Sequence, residues 1–146
     1  MIALAESVGR SRREWQTRNA PMSQGMIAIV DDDAVVREAM KSLVRSMGYN
    51  VFTFDSAKQF LESEQVHNSS CLITDLHMPG LSGLDLQERL IAQGHRFPII
   101  FLTAYPDEDV RMRAMKAGAV GLLSKPCNGD HLLGCLEKAL SVSSGT

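Results

Sequence analysis

At 146 residues, 45% hydrophobic and 22% charged, the chain has the length of one domain and enough apolar material for a core without disulfides, which excludes a second domain of any size. The formal charge of −2 hides an asymmetry: residues 1–25 hold four Arg against two Glu, whereas residues 26–146 hold 11 basic and 15 acidic residues, so the folded part is mildly acidic, which argues against direct nucleic-acid binding through a basic surface. No apolar run approaches the ~20 residues that span a bilayer, no secretory signal opens the chain, and Cys71, Cys127 and Cys135 lack the paired spacing of a zinc site; reduced thiols, a cytoplasmic location and no membrane contact are expected.

Residues 1–25 show no sustained periodicity and run through Ser11-Arg12-Arg13-Glu14-Trp15 to Asn19-Ala20-Pro21. They read as a tail, and Met22 or Met26 could equally begin the protein. From residue 26 the pattern alternates. Apolar runs at 26–30, 50–54, 71–74, 98–102 and 119–123 are short and rich in Ile, Val, Leu and Phe, as suits parallel strands buried on both faces. Val36, Met40, Leu43, Val44 and Met47 form a helical stripe that stops at Gly48. Ser56 precedes a short helix carrying Ala57, Phe60 and Leu61, and Ser82 precedes one carrying Leu86, Leu90 and Ile91. Pro106 opens a helix with Asp107, Glu108 and Asp109 in its first turn, and Ala117-Gly118 closes it. A last helix starts near Asn128 and carries Leu132, Leu133, Leu136 and Leu140, after which residues 142–146 read as the start of a linker. Five strands alternating with five helices predict a doubly wound five-stranded parallel sheet flanked by five helices, spanning residues 26–141.

The chemistry gathers at the strand ends. Asp31, Asp32 and Asp33 follow the first strand, Asp75 the third, Thr103 and Ala104 the fourth, and Lys125-Pro126 the fifth. The carboxyl edge of a doubly wound sheet is where such groups converge. Several acids together call for a divalent cation, and Mg²⁺ is satisfied by one or two carboxylates plus water. If the reaction is phosphoryl transfer to a carboxylate, Asp75 is the nucleophile, Thr103 donates a hydrogen bond to a phosphoryl oxygen, Lys125 pairs with another, and Ala104 leaves room for the donor or for water. Gly80 and Gly83 let the loop after Asp75 turn, with the His77 backbone carbonyl facing the metal.

The order Asp-Asp, Asp, Thr-Ala, Lys-Pro resembles the receiver domain of two-component response regulators, of flavodoxin-like fold. The segments Ile73-Thr74-Asp75-Leu76-His77-Met78-Pro79-Gly80-Leu81-Ser82-Gly83 and Met115-Lys116-Ala117-Gly118-Ala119-Val120 resemble the branch typified by the nitrogen-fixation transcriptional regulator. The resemblance implies that Asp75 accepts a phosphoryl group from a sensor histidine kinase, that Asp31 and Asp32 hold Mg²⁺, and that Thr103 and Lys125 bind the phosphoryl group. It further implies a homodimer through the face of the fourth helix, fifth strand and fifth helix, and DNA control only through an output domain that this sequence does not contain. Such a domain is a signalling switch rather than an enzyme, although it supports its own phosphorylation and dephosphorylation. One departure is Leu122, at a position the family commonly fills with an aromatic.

Two other readings compete. Asp31-Asp32-Asp33-Ala34-Val35 fits the Asp-x-Asp-x-Val signature of haloacid dehalogenase phosphohydrolases, with Asp31 as nucleophile, but only Asp130 and Glu137 follow the lysine where an acidic pair is needed. The other is a receiver-like module that binds without responding to phosphate. Asp33 has a structural role open to it as N-cap of the first helix. His67, His95 and His131 read as surface residues, and Met40, Met47, Met112 and Met115 as packing surface.

Overall fold

A computed structural model describes residues 25–145; the tail expected over residues 1–25 falls, but for Gly25, outside them. The strands are β1 (Met26–Val30), β2 (Asn50–Phe54), β3 (Cys71–Asp75), β4 (Ile99–Thr103) and β5 (Gly121–Ser124). They alternate with α1 (Ala34–Ser46), α2 (Ala57–Glu62), α3 (Gly83–Ala92), α4 (Glu108–Lys116) and α5 (Gly129–Gly145). All pairings are parallel, in the order β2-β1-β3-β4-β5. The chain winds outward in both directions from the β1/β3 junction, so their carboxyl ends open a crevice there.

The two-residue side-chain period of a strand sends alternate residues to opposite faces. Ala28, Val30, Leu72 and Phe101 join Phe60, Leu86, Leu90 and Ala114 in one buried cluster under α2, α3 and α4. Ile27, Ile29, Ile73, Ile100 and Leu102 join Met40, Val44, Leu132 and Leu136 in a second cluster under α1 and α5. Both faces are covered, which is why these strands read as continuous apolar runs.

The helix starts follow side-chain chemistry. Asp33, Ser56 and Ser82 cap α1, α2 and α3, and Ser82 forms a reciprocal capping box with Asp85. Asn128 Oδ1 accepts from the amides of Asp130 and His131 at the start of α5. Gly48 and Gly118 take left-handed φ of 97° and 109° after α1 and α4.

Several expectations shift. Asp107 is the N-cap of α4, accepting from the amides of Asp109 and Val110, and so does not sit inside its first turn. Pro98 lacks an amide and β4 starts one residue later, while Ala119 donates to Ala114 O and closes α4 before β5 begins. A 3₁₀ turn at Glu64–His67, not expected from the sequence, stacks His67 against His95 with ring centroids 5.4 Å apart. Helix α5 continues through residues 142–145, where the sequence reads as linker. Met112 is 58% exposed and leaves the packing surface assigned to it, whereas Met40 is buried.

Candidate functional site

Lys125 is the centre of the site. Its Nζ donates to Asp31 Oδ2 at 2.9 Å and to Asp75 Oδ2 at 3.1 Å, joining the ends of three strands. The register explains the reach: β5 pairs with β4 so that Thr103 stands opposite Ser124, and the Lys125 amide donates to Thr103 O at 2.8 Å before the cis peptide to Pro126.

Asp31 is buried. Its amide donates to Phe54 O, its Oδ1 accepts from the Asp33 amide at 2.9 Å, and Arg37 Nη1 of α1 donates to its carbonyl at 2.8 Å. Asp75 is also buried, and its Oδ1 accepts from the His77 amide at 3.2 Å. Burial pushes the Asp75 carboxyl above its usual range, against the opposing pull of the Lys125 ammonium and the His77 amide. Burial alone would lower the Lys125 ammonium, but its hydrogen bonds to Asp31 and Asp75 outweigh that and raise it. Lys125 is therefore charged at neutral pH, and it offsets two carboxylates withdrawn from water.

One carboxylate oxygen from each of Asp31, Asp32 and Asp75 lies within 4.8 Å of the other two. Asp32 is exposed and faces solvent, a geometry that leaves room for waters around a hard cation. Asp33 is not in this group; its Oδ1 accepts from the amides of Val35 and Val36, the capping role. Thr103 is buried at the end of β4, where its Oγ1 accepts from the Tyr105 amide at 3.0 Å, and Ala104 beside it is exposed. His77 enters through its amide donation to Asp75 and through its ring, which meets the Tyr105 ring edge-on at 6.2 Å.

The structure thus brings Asp31, Asp32, Asp75 and Lys125 into one cluster, with Thr103 and Ala104 on the adjoining strand end. It adds two residues that the sequence did not single out for these tasks. Arg37 lies six positions after Asp31, and a basic residue on a helix gives no sign that it turns back to a carbonyl. Gly83 takes no left-handed φ; a Cβ there would meet Asp75 O at 2.5 Å and Leu76 Cα at 3.0 Å, so it is small because α3 starts against the backbone of Asp75. Gly80, with φ of 78° and open space around it, is the turn residue. Leu122 pairs with Phe101 across β4 and β5 and packs half-buried on the first cluster. Asp130 and Glu137 are exposed on α5 and do not join the acidic cluster.

A family model described as the response regulator receiver domain matches residues 27–137. The response regulator protein TmoT of Ectopseudomonas mendocina is 42% identical over 120 residues, covering 82% of this chain and 54% of that protein. The transcriptional regulatory protein FixJ of Bradyrhizobium diazoefficiens is 38% identical over 118 residues, covering 81% and 58%. Among solved structures, the response regulator StyR superposes with a TM-score of 0.77 at 43% identity, covering 84% of this chain and 62% of that one. The chain spans about half the length of the curated relatives it matches.

Proposed function

This chain belongs to the response regulator receiver domain family, within the FixJ-like branch, and from that premise we propose that it takes a phosphoryl group from a sensor histidine kinase onto Asp75 and relays the change through its surface. The observation that carries the reading is the single ammonium of Lys125 held between two buried carboxylates, one of which ends β3. A structural ion pair needs one acid; here one cation serves two, so a phosphoryl oxygen can take its place as a partner of Lys125.

An Asp75 oxygen attacks phosphorus, the bond from phosphorus to the donor breaks with its electron pair leaving on the donor, and an acyl phosphate forms. Asp75 suits the nucleophile because burial destabilises its charge and so favours bonding to phosphorus. Lys125 turns to a phosphoryl oxygen as negative charge accumulates, and the Thr103 hydroxyl donates to another. The all-oxygen donor set of Asp31, Asp32 and Asp75, with the His77 carbonyl as a further candidate, fits Mg²⁺. When bound, that ion neutralises charge that would otherwise repel the incoming phosphate.

The output side of the proposal is a face made by α4, β5 and α5, whose two conformations phosphorylation rebalances and through which two copies associate. Control of transcription, in the manner that the name of the FixJ relative describes, would run through an output domain outside this sequence, in the cytoplasm. Among the described residues no helix is long and apolar enough to cross a membrane. Leu122 gives that face a smaller, apolar side chain, and phosphate-independent binding is the reading that follows if the face does not change.

The test is chemical. Acetyl phosphate and Mg²⁺ should give one phosphoryl adduct that hydroxylamine removes, as expected of an acyl phosphate, and EDTA should prevent it. An adduct that resists hydroxylamine, or that forms equally in EDTA, contradicts the proposal. Sedimentation with and without the adduct tests the associating face, and an unchanged association state counts against it.

A further inference from the structure

His67 and His95 each stand four residues ahead of a strand, β3 and β4 respectively, at the sheet edge opposite Asp75. Those strands are neighbours, with Leu72 opposite Ile99, so the 3₁₀ turn that ends in His67 and the loop that carries His95 lie side by side. The imidazole centroids are 5.4 Å apart and the ring planes cross at 54°, which is neither the offset stack nor the perpendicular contact that aromatic pairs prefer. Among the described residues no hydrogen bond occupies a nitrogen of either ring. Their backbone is nevertheless tied down. The Asn68 amide donates to Gln65 O at 3.0 Å and closes the turn beneath His67, and the His95 amide donates to Leu90 O at 2.9 Å. The His95 ring lies 5.8 Å from that of Phe97, which in turn meets buried Phe60 edge-on at 6.3 Å, so this imidazole is seated against the core.

We propose that His67 and His95 form a second metal site, for a divalent cation of the zinc class, at the opposite end of the sheet from the carboxylate cluster. The two sites differ in chemistry: imidazole nitrogen suits Zn²⁺, Cu²⁺ and Ni²⁺, whereas Mg²⁺ takes oxygen. A tetrahedral ion held at about 2.0–2.1 Å by one nitrogen of each ring sets the two centroids roughly 5 Å apart, which is close to the separation found. Two protein ligands leave two positions for water. The rings border a cavity of about 780 Å³, also lined by Ser69, Ser70 and Arg96, which has room for that water. Arg96 is the one charged side chain on the lining; it is exposed, so solvent screens its repulsion of the ion. A bound ion joins the segment entering β3 to the segment entering β4 and so stabilises the folded state. The proposal is independent of the acceptor reading of Asp75.

The test adds Zn²⁺ to the full chain in excess Mg²⁺ and follows the carbon-bound ring protons of its four histidines by NMR. The His67 and His95 signals should shift together along one binding curve, while those of His77 and His131 stay in place. His67→Gln and His95→Gln should each weaken this binding by about tenfold or more, because even residues that only support a metal ligand account for about 10- to 100-fold. The denaturant midpoint of the wild type should rise with Zn²⁺, and that of either variant should rise less. His67 is exposed and the backbone bond of His95 survives substitution, so both variants keep the fold. No shift at either ring, a shift at one ring alone, separate binding curves for the two, or wild-type affinity in either variant overturns the site.

Discussion

At the scale of residues, one ammonium and one missing Cβ define the site. Lys125 removes the repulsion between Asp31 and Asp75. Lys125→Ala should leave a folded protein whose phosphorylation by acetyl phosphate is slower by about 10²-fold, the usual consequence of losing one donor to developing charge. Retention of the wild-type rate would remove Lys125 from the chemistry. Gly83→Ala drives a methyl group into the Asp75 carbonyl and should cost about 1–3 kcal/mol in denaturant unfolding. The same substitution should also slow phosphorylation, because the backbone that moves is that of the acceptor. Cys71 provides an independent check on the core: burial pushes its thiol up to about 12, so at pH 8 it is overwhelmingly the unreactive thiol. Iodoacetamide should label the partly exposed Cys127 and Cys135 in the native protein and reach Cys71 only after unfolding; native labelling of Cys71 would contradict the packing of β3.

At the scale of elements, the caps hold the loops that carry the site. Ser82, seven residues beyond Asp75, and Asp85 fix the start of α3. Ser82→Ala should cost about 1 kcal/mol, read from the denaturant midpoint. The Ser82 amide holds the Asp85 carboxyl below its usual range, so its share of the cap is present at neutral pH and is lost as pH falls through that lowered value. Helix α4 is anchored more lightly: Ala114 is its only buried residue, and buried Gln87 of α3 reaches across to donate to Ala114 O at 3.2 Å. Gln87→Ala should raise amide exchange in α4 more than in α1 or α5; equal protection would mean that α4 is held by other contacts. The sequence announced the starts of α2, α3 and α5 because a cap is a local signal, three or four residues long, and missed that of α4 only in reading Asp107 as part of the first turn rather than as its cap. It did not announce the 3₁₀ turn at Glu64–His67 or the exposure of Met112, because both depend on which neighbours the finished fold brings close. Arg37 escaped for the same reason, and Gly83 was read as a turn residue rather than as a close approach, since their contacts are with the backbone of Asp31 and Asp75 and leave no pattern in the chain.

At the scale of the whole molecule, parallel order and double winding were legible because strands covered on both faces are continuously apolar, and because acids at strand ends stand out against such runs. Topology then does the gathering: β1, β3, β4 and β5 lie side by side, so residues separated by up to 94 positions share one crevice. The haloacid dehalogenase reading used several of the same residues but required acids after Lys125, and those at 130 and 137 are exposed on α5 and outside the cluster. The identity of the phosphorylated residue separates the two chemistries most directly. After incubation with Mg²⁺ and acetyl phosphate, peptide mapping of the intact protein should find a single phosphoryl group on Asp75, and Asp75→Ala should carry none. A phosphoryl group on Asp31, or an undiminished adduct in Asp75→Ala, would contradict the assignment.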